Sequence, residues 1–300
     1  MKLTNLHLEV STYCNANCPL CPHDSSGITH PLLHLSLDNV KDLLENPVTN
    51  QVKFIQLCGS YGDPVMHKDF IALIKLIKQL APASAIEIST NGSIRTQEFW
   101  HELAGLLEEK DHVIFGIDGL EDTHHIYRKN TNFNQVIKNA RSFISNSGTA
   151  WWQFIPFEHN QHQIIDAYKL SQTHKFKHFF VKYERACYTD KLKAPTIDPA
   201  QHKELIISKP NYNSLHETFV SEKQFASNCI HLNQKSIYIK ADGTTTPCCF
   251  MNTFPSASVQ YSSLTQQEIN DNIKRLTESW KKFDTAFWEC KNHCYSSQNN

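Results

Sequence analysis

The stretch LHLEVSTYCNANCPLC, residues 6–21, constrains the architecture more than any other part of the chain. Leu6, Leu8 and Val10 alternate with His7 and Glu9, the period of a half-buried strand, and that strand runs directly into a loop carrying Cys14, Cys18 and Cys21. An electron-transfer cluster of four irons is closed by four thiolates. Three leave one iron with an open position for a substrate or cofactor. The same three cysteines could instead belong to a zinc site completed by His23 or by a distant cysteine.

Downstream, strand-like and helix-like segments alternate. A helical stretch near Leu37 to Leu44 is followed by a strand over Val52 to Leu57, which ends in Cys58-Gly59-Ser60-Tyr61-Gly62-Asp63-Pro64. Phe70, Ile74 and Ile77 then recur at helical spacing. A strand over Ala85 to Ser89 ends at Thr90-Asn91-Gly92, and one over Val113 to Ile117 ends at Asp118-Gly119. Further strands over Trp151 to Phe157 and His178 to Tyr183 alternate with helices over Val136 to Ile144 and Ile164 to Leu170. Six strand-then-helix units, with polar and glycine-rich residues gathered just after the strands, predict an α/β fold with a parallel sheet whose C-terminal edge carries the chemistry. A partial (β/α)6 barrel of the TIM type fits best. A doubly wound open sheet gives the same alternation.

Composition narrows the function. The 300 residues are 40% hydrophobic, enough for a large core, and the net charge of -1 shows no basic footprint for nucleic acid. Ten cysteines without a secretory h-region fit metal ligands in a reducing cytoplasm better than an oxidised scaffold. No apolar run approaches the ~20 residues of a membrane helix.

On the cysteine triplet and the strand-end motifs, the chain resembles the radical S-adenosylmethionine (SAM) enzymes with a C-terminal auxiliary iron-sulfur domain of the SPASM or Twitch kind. The resemblance implies that Cys14, Cys18 and Cys21 hold a 4Fe-4S cluster whose open iron takes the methionyl amine and carboxylate of SAM. Tyr61, Gly62 and Asp63 match the family's glycine-glycine-glutamate-like segment, with aspartate for the commoner glutamate, and would hold the methionyl amine. Ser89 and Asn91 match polar positions near the cofactor. Arg128 matches an arginine that contacts SAM, and a guanidinium suits a carboxylate through paired donors. Gly116 occupies the position of a family serine and lacks its hydroxyl. Asp118, at a strand end, is a candidate to face the substrate in a catalytic role, and Asn160, after the next strand, a candidate to face the cofactor.

The same resemblance assigns a second centre. Cys229, Gly243 and Cys248 keep the family's spacing, Asp242-Gly243 reads as a hairpin turn, and Cys290 and Cys294 complete four thiolates for one auxiliary 4Fe-4S cluster. Cys249 is the rival ligand to Cys248, since adjacent residues on a strand point to opposite faces. A structural zinc is the alternative occupant. The domains implied are a barrel over 1–184, a connecting region over 185–227 and an auxiliary domain over 228–300. The activity implied is reductive cleavage of SAM to a 5′-deoxyadenosyl radical that takes hydrogen from a small molecule, a net oxidation, with a flavodoxin or ferredoxin as reductant. A maturase acting on a peptide is the near alternative, and a non-enzymatic zinc-binding interaction protein the distant one.

Overall fold

Strand β1 (Asn5–Leu8) lies in the middle of the sheet, although it comes first in the chain. The computed structural model describes residues 2–21, 31–182, 192–193, 195–196, 235–246, 248–249, 259–260 and 265–279. From β1 the sheet grows in one direction through β2 (Phe54–Leu57), β3 (Ala85–Thr90), β4 (His112–Gly116), β5 (Ala150–Phe154) and β6 (His178–Val181), every neighbour parallel. Parallel neighbours need a crossover, which helices supply. These are α1 (Leu37–Glu45), α2 (Phe70–Leu80), α3 (Gln97–Leu106), the short α4 (His124–Tyr127), α5 (Phe133–Ser145) and α6 (Ile164–Thr173). Local sequence marks several starts: Ser36, Thr96 and Asn132 cap α1, α3 and α5 by accepting from the backbone N–H three residues on.

The two faces of the sheet differ. Leu6, Leu8, Ile55, Leu57, Ile86, Ile88, Val113, Phe115, Trp152, Phe154 and Phe179 join one apolar cluster with Val40, Leu43, Ile74, Leu103 and Phe143 from the helices. The intervening residues face the other way and are largely polar. Gln56 Nε2 donates to Glu87 at 2.7 Å, Glu87 meets His112 Nε2 at 2.9 Å, and the His112 ring stacks on Trp151 at 3.9 Å. A doubly wound sheet buries both faces under helices. With its helix-borne core on one face and a polar inner face, this sheet follows the barrel plan and resolves the ambiguity left by the alternation.

On the other side of β1, β7 (Ser236–Ile239) pairs in parallel, with Leu6 opposite Ile237 and Leu8 opposite Ile239. The hairpin expected at Asp242-Gly243 forms: β8 (Thr244–Thr246) returns antiparallel, and Gly243 takes φ +81°, a backbone conformation glycine adopts without strain. β9 (Val259–Gln260) continues the same sheet, and α7 (Gln266–Ser279) sends Ile269 into the common core. Among the described residues no helix is long and apolar enough to cross a membrane.

Candidate active site

The loops at the C-terminal ends of β1 to β5 converge on the cysteine loop. After β1, the chain is held by the segment before α1: Leu35 N–H donates to Val10 and Thr12 N–H to Leu33, each at 3.0 Å. The loop then carries Cys14, Cys18 and Cys21, with a tight turn from Cys21 N–H to the Cys18 carbonyl at 2.9 Å. Asn91 Nδ2 lies 3.9 Å from Cys14 Sγ, and Arg128 Nη1 lies 4.0 Å from Cys18 Sγ. Two hydrogen-bond donors, one of them cationic, thus face thiols that would bind metal as thiolates. Burial and then the Asp63 carboxylate push the Cys14 thiol up to about 12, and a coordinated metal would remove that proton. This donor set suits an iron-sulfur cluster. Among the described residues no three His, Cys, Asp or Glu side chains group as ligands of a single ion.

The loop after β2 lies against this strand. A Cβ on Gly62 would stand 1.9 Å from the Ser11 carbonyl oxygen, so only glycine lets the two backbones approach. Asp63 N–H donates to the Tyr13 carbonyl at 2.9 Å. Below, the inner face of β1 carries the loop: His7 Nε2 donates to the Cys58 carbonyl at 2.6 Å and Glu9 accepts from Tyr61 N–H at 2.8 Å. From β7, the buried Tyr238 hydroxyl accepts from Ser60 N–H at 3.2 Å. Burial, partly offset by the Tyr61 N–H, raises Glu9 above the usual carboxylate range. Burial and then Glu9 raise Tyr238 well above its own. The sequence reading missed Glu9, Ser60 and Tyr238. The available signal was an acid at an inward position of a strand, three residues before the turn into the cysteines.

Asp63 is engaged by several donors within the protein. Its carboxylate is 4% exposed and accepts from Val65 N–H at 3.1 Å, Thr90 Oγ1 at 2.9 Å, Asn91 N–H at 2.8 Å and Asn91 Nδ2 at 2.7 Å. A carboxylate has about four acceptor sites, so none is left for an ammonium. Asp63 instead fixes Asn91, whose Nδ2 also reaches Asn15 Oδ1 at 2.9 Å. Ser89 is half-buried on the inner face of β3, level with Ile114 of β4.

Two further expectations are corrected. Asp118 faces no open space: it is fully buried, its Oδ2 accepts from Arg128 Nε at 2.7 Å and its Oδ1 from Ile155 N–H at 2.6 Å. Its carboxylate holds the Arg128 guanidinium in place. Burial disfavours the Arg128 charge, but Asp118 and then Cys18 more than offset this and hold the guanidinium well above its usual range. Asn160 is also fully buried and its amide is taken up within the protein, accepting from Phe157 N–H at 2.6 Å and donating to Ile155 O at 3.1 Å and to Asp118 O at 3.3 Å. Gly116 explains the missing serine. A Cβ there would lie 2.5 Å from Arg128 Nη2, so the guanidinium occupies the space a side chain would need.

Cys248 is buried, and the Cys249 carbonyl accepts from Ser60 Oγ at 3.3 Å. Cys229, Cys290 and Cys294 lie outside the described residues.

The model of the Radical SAM superfamily matches residues 8–157, half of the chain. Over 126 residues the chain is 29% identical to the tungsten-containing aldehyde ferredoxin oxidoreductase cofactor-modifying protein of Pyrococcus furiosus, an alignment covering 40% of this chain and 32% of that protein. Over 146 residues it is 25% identical to the GTP 3′,8-cyclase of Psychromonas ingrahamii, covering 48% and 41%. The matched segments therefore span well under half the length of these relatives. Among solved structures, Streptococcus suis SuiB bound to S-adenosylmethionine gives a TM-score of 0.67 at 16% identity, covering 89% of this chain and 65% of SuiB. The enzyme anSMEcpe with bound AdoMet gives 0.64 at 16%, covering 93% and 84%. At such identity the likeness is one of fold.

Proposed function

This chain belongs to the radical SAM superfamily, and we propose that Cys14, Cys18 and Cys21 hold a 4Fe-4S cluster with which the protein cleaves SAM reductively. The observation that carries the reading is the meeting of the cysteine loop with Arg128, Asn91 and the close-packed Gly59–Gly62 loop at one end of the sheet. When bound, the cluster and SAM supply a 5′-deoxyadenosyl radical that removes hydrogen from a substrate. The chain's own part is placement. Backbone carbonyls between Ser60 and Gly62 receive the methionyl ammonium, because Asp63 is already filled by Thr90 and Asn91. The Nη groups of Arg128, whose Nε is fixed by Asp118, meet the carboxylate. The polar inner face below, from Gln56 to Trp151, borders the substrate.

In this reading Cys248, with Cys229, Cys290 and Cys294, would hold a second 4Fe-4S centre, which would supply an electron acceptor for a net oxidation. A flavodoxin or ferredoxin serves as reductant, and the substrate is a small molecule. Anaerobic reconstitution tests the whole. Wild-type protein should bind about eight irons per chain, two centres of four, and form 5′-deoxyadenosine from SAM with dithionite. The Cys14→Ala, Cys18→Ala, Cys21→Ala variant should keep about four irons and form none. Wild-type 5′-deoxyadenosine from that variant removes the reading, and four irons in the wild type removes the second cluster.

A further inference from the structure

Ser60 is held by two groups that come from the far end of the chain. Its N–H donates to the Tyr238 hydroxyl at 3.2 Å and its own hydroxyl to the Cys249 carbonyl at 3.3 Å. The next residue, Tyr61, is held through its N–H by Glu9 at 2.8 Å, and the buried Glu9 and Tyr238 act on each other electrostatically. Two successive N–H groups of the loop thus rest on buried side chains, Ser60 N–H on Tyr238 and Tyr61 N–H on Glu9. Glu9 and Tyr238 are buried and Ser60 and Tyr61 half-buried, so a partner lost on the buried side leaves a costly orphan. The His7 ring braces Tyr238 edge-on at 4.7 Å, and Gly62 is pinned against Ser11 on the opposite flank. The loop is therefore held from two sides, by β1 and the residues after it and by Tyr238 of β7 with the Cys249 backbone.

We infer that Tyr238 and the Cys249 backbone are positioning groups for the Ser60–Gly62 loop, so that SAM affinity is coupled to the conformation of the segment bearing Cys248 and Cys249. This rests on the reading that the loop carbonyls receive the methionyl ammonium. Turning the two N–H groups of Ser60 and Tyr61 down onto Tyr238 and Glu9 directs the carbonyls of the same stretch elsewhere, and a small shift of Tyr238 re-aims them. Coupling of this kind is reciprocal. SAM should tighten the β7–β8 hairpin as much as the hairpin tightens the site for SAM.

Equilibrium binding of SAM to anaerobically reconstituted protein, with iron content measured in parallel, tests the inference. Tyr238→Phe keeps the ring and removes one neutral hydrogen-bonding group, so SAM should bind about five-fold more weakly at unchanged iron content. Ser60→Ala should act in the same direction through the Cys249 carbonyl. Ile237→Val trims the same strand on its core face without touching Ser60 and should leave the affinity at the wild-type value. In wild-type protein, SAM should slow amide hydrogen exchange over residues 236–246, and Tyr238→Phe should abolish that slowing. If Tyr238→Phe does not fold, Ser60→Ala and the wild-type exchange measurement carry the test. Unchanged affinity in both variants, a loss in Ile237→Val equal to theirs, or exchange over 236–246 indifferent to SAM overturns the inference. A wild type that binds no SAM overturns the function proposed above instead.

Discussion

Arg128 holds its guanidinium over a backbone position that carries no side chain, and its place depends on that emptiness. With Nη2 2.5 Å from where a Cβ on Gly116 would stand and Nε 2.7 Å from the buried Asp118 carboxylate, it has no slack to yield. Gly116→Ala should therefore destabilise the protein by about 1–3 kcal/mol, the usual cost of overpacking, seen as a lower urea midpoint. Arg128→Ala strands Asp118 without its partner and should cost about 3–5 kcal/mol. In that background the added methyl has room, so the two substitutions should be strongly non-additive. An additive pair would mean the guanidinium does not fill the space over Gly116. Reading the sequence identified Arg128 and the departure at Gly116 separately, and only the tertiary structure joins them, because eleven intervening positions say nothing about how a side chain folds back.

At the scale of elements, what was legible was whatever repeats locally. Apolar alternation located the strands, 3.6-residue spacing the helices, and glycine-rich strand ends the loops of the site. The four-residue α4 is too short for any period to register, yet it carries the His124 ring beneath the Asp118 loop. His124 Nδ1 accepts from Asp118 N–H at 3.3 Å and Nε2 donates to Thr131 at 3.0 Å, so the ring is used as the neutral tautomer. Burial, and then the Arg128 charge, lower its pKa to about 3. The unfolded chain takes up this proton near pH 6.5 and the folded one resists until about 3. Stability from this group is thus complete above pH 6.5 and falls as the pH drops towards 3, by up to about 1.4 kcal/mol per pH unit. Urea midpoints at pH 6.5 and pH 5 should show the wild type losing about 2 kcal/mol more than His124→Gln over that interval. Equal losses would refute a buried neutral histidine. The roles of Asp63, Asp118 and Asn160 were illegible for a related reason: a carboxylate or amide at a strand end reads the same whether it faces a ligand or a neighbouring loop.

For the molecule as a whole, sequence order and spatial order part company at β1. A barrel over residues 1–184 follows naturally from six consecutive units, but β1 has its second neighbour in β7, and Ile237 and Ile239 complete the core beside Leu6 and Leu8. A chain ending at residue 184 would leave the β1 edge unpaired, an invitation to strand addition from another molecule. It should accumulate as aggregate on expression and elute in the void volume on size exclusion, whereas the 300-residue chain elutes at its own size. A monodisperse truncated chain would show that β7 is dispensable. There is also a consequence in time. At about 5–20 residues per second, the roughly 180 residues between the end of β2 and the end of β7 take roughly 10–40 s to be synthesised. Throughout that interval the nascent polypeptide carries its central strand with one flank open, and its yield in a cell will follow how well that flank is shielded at the ribosome rather than how stable the finished sheet becomes.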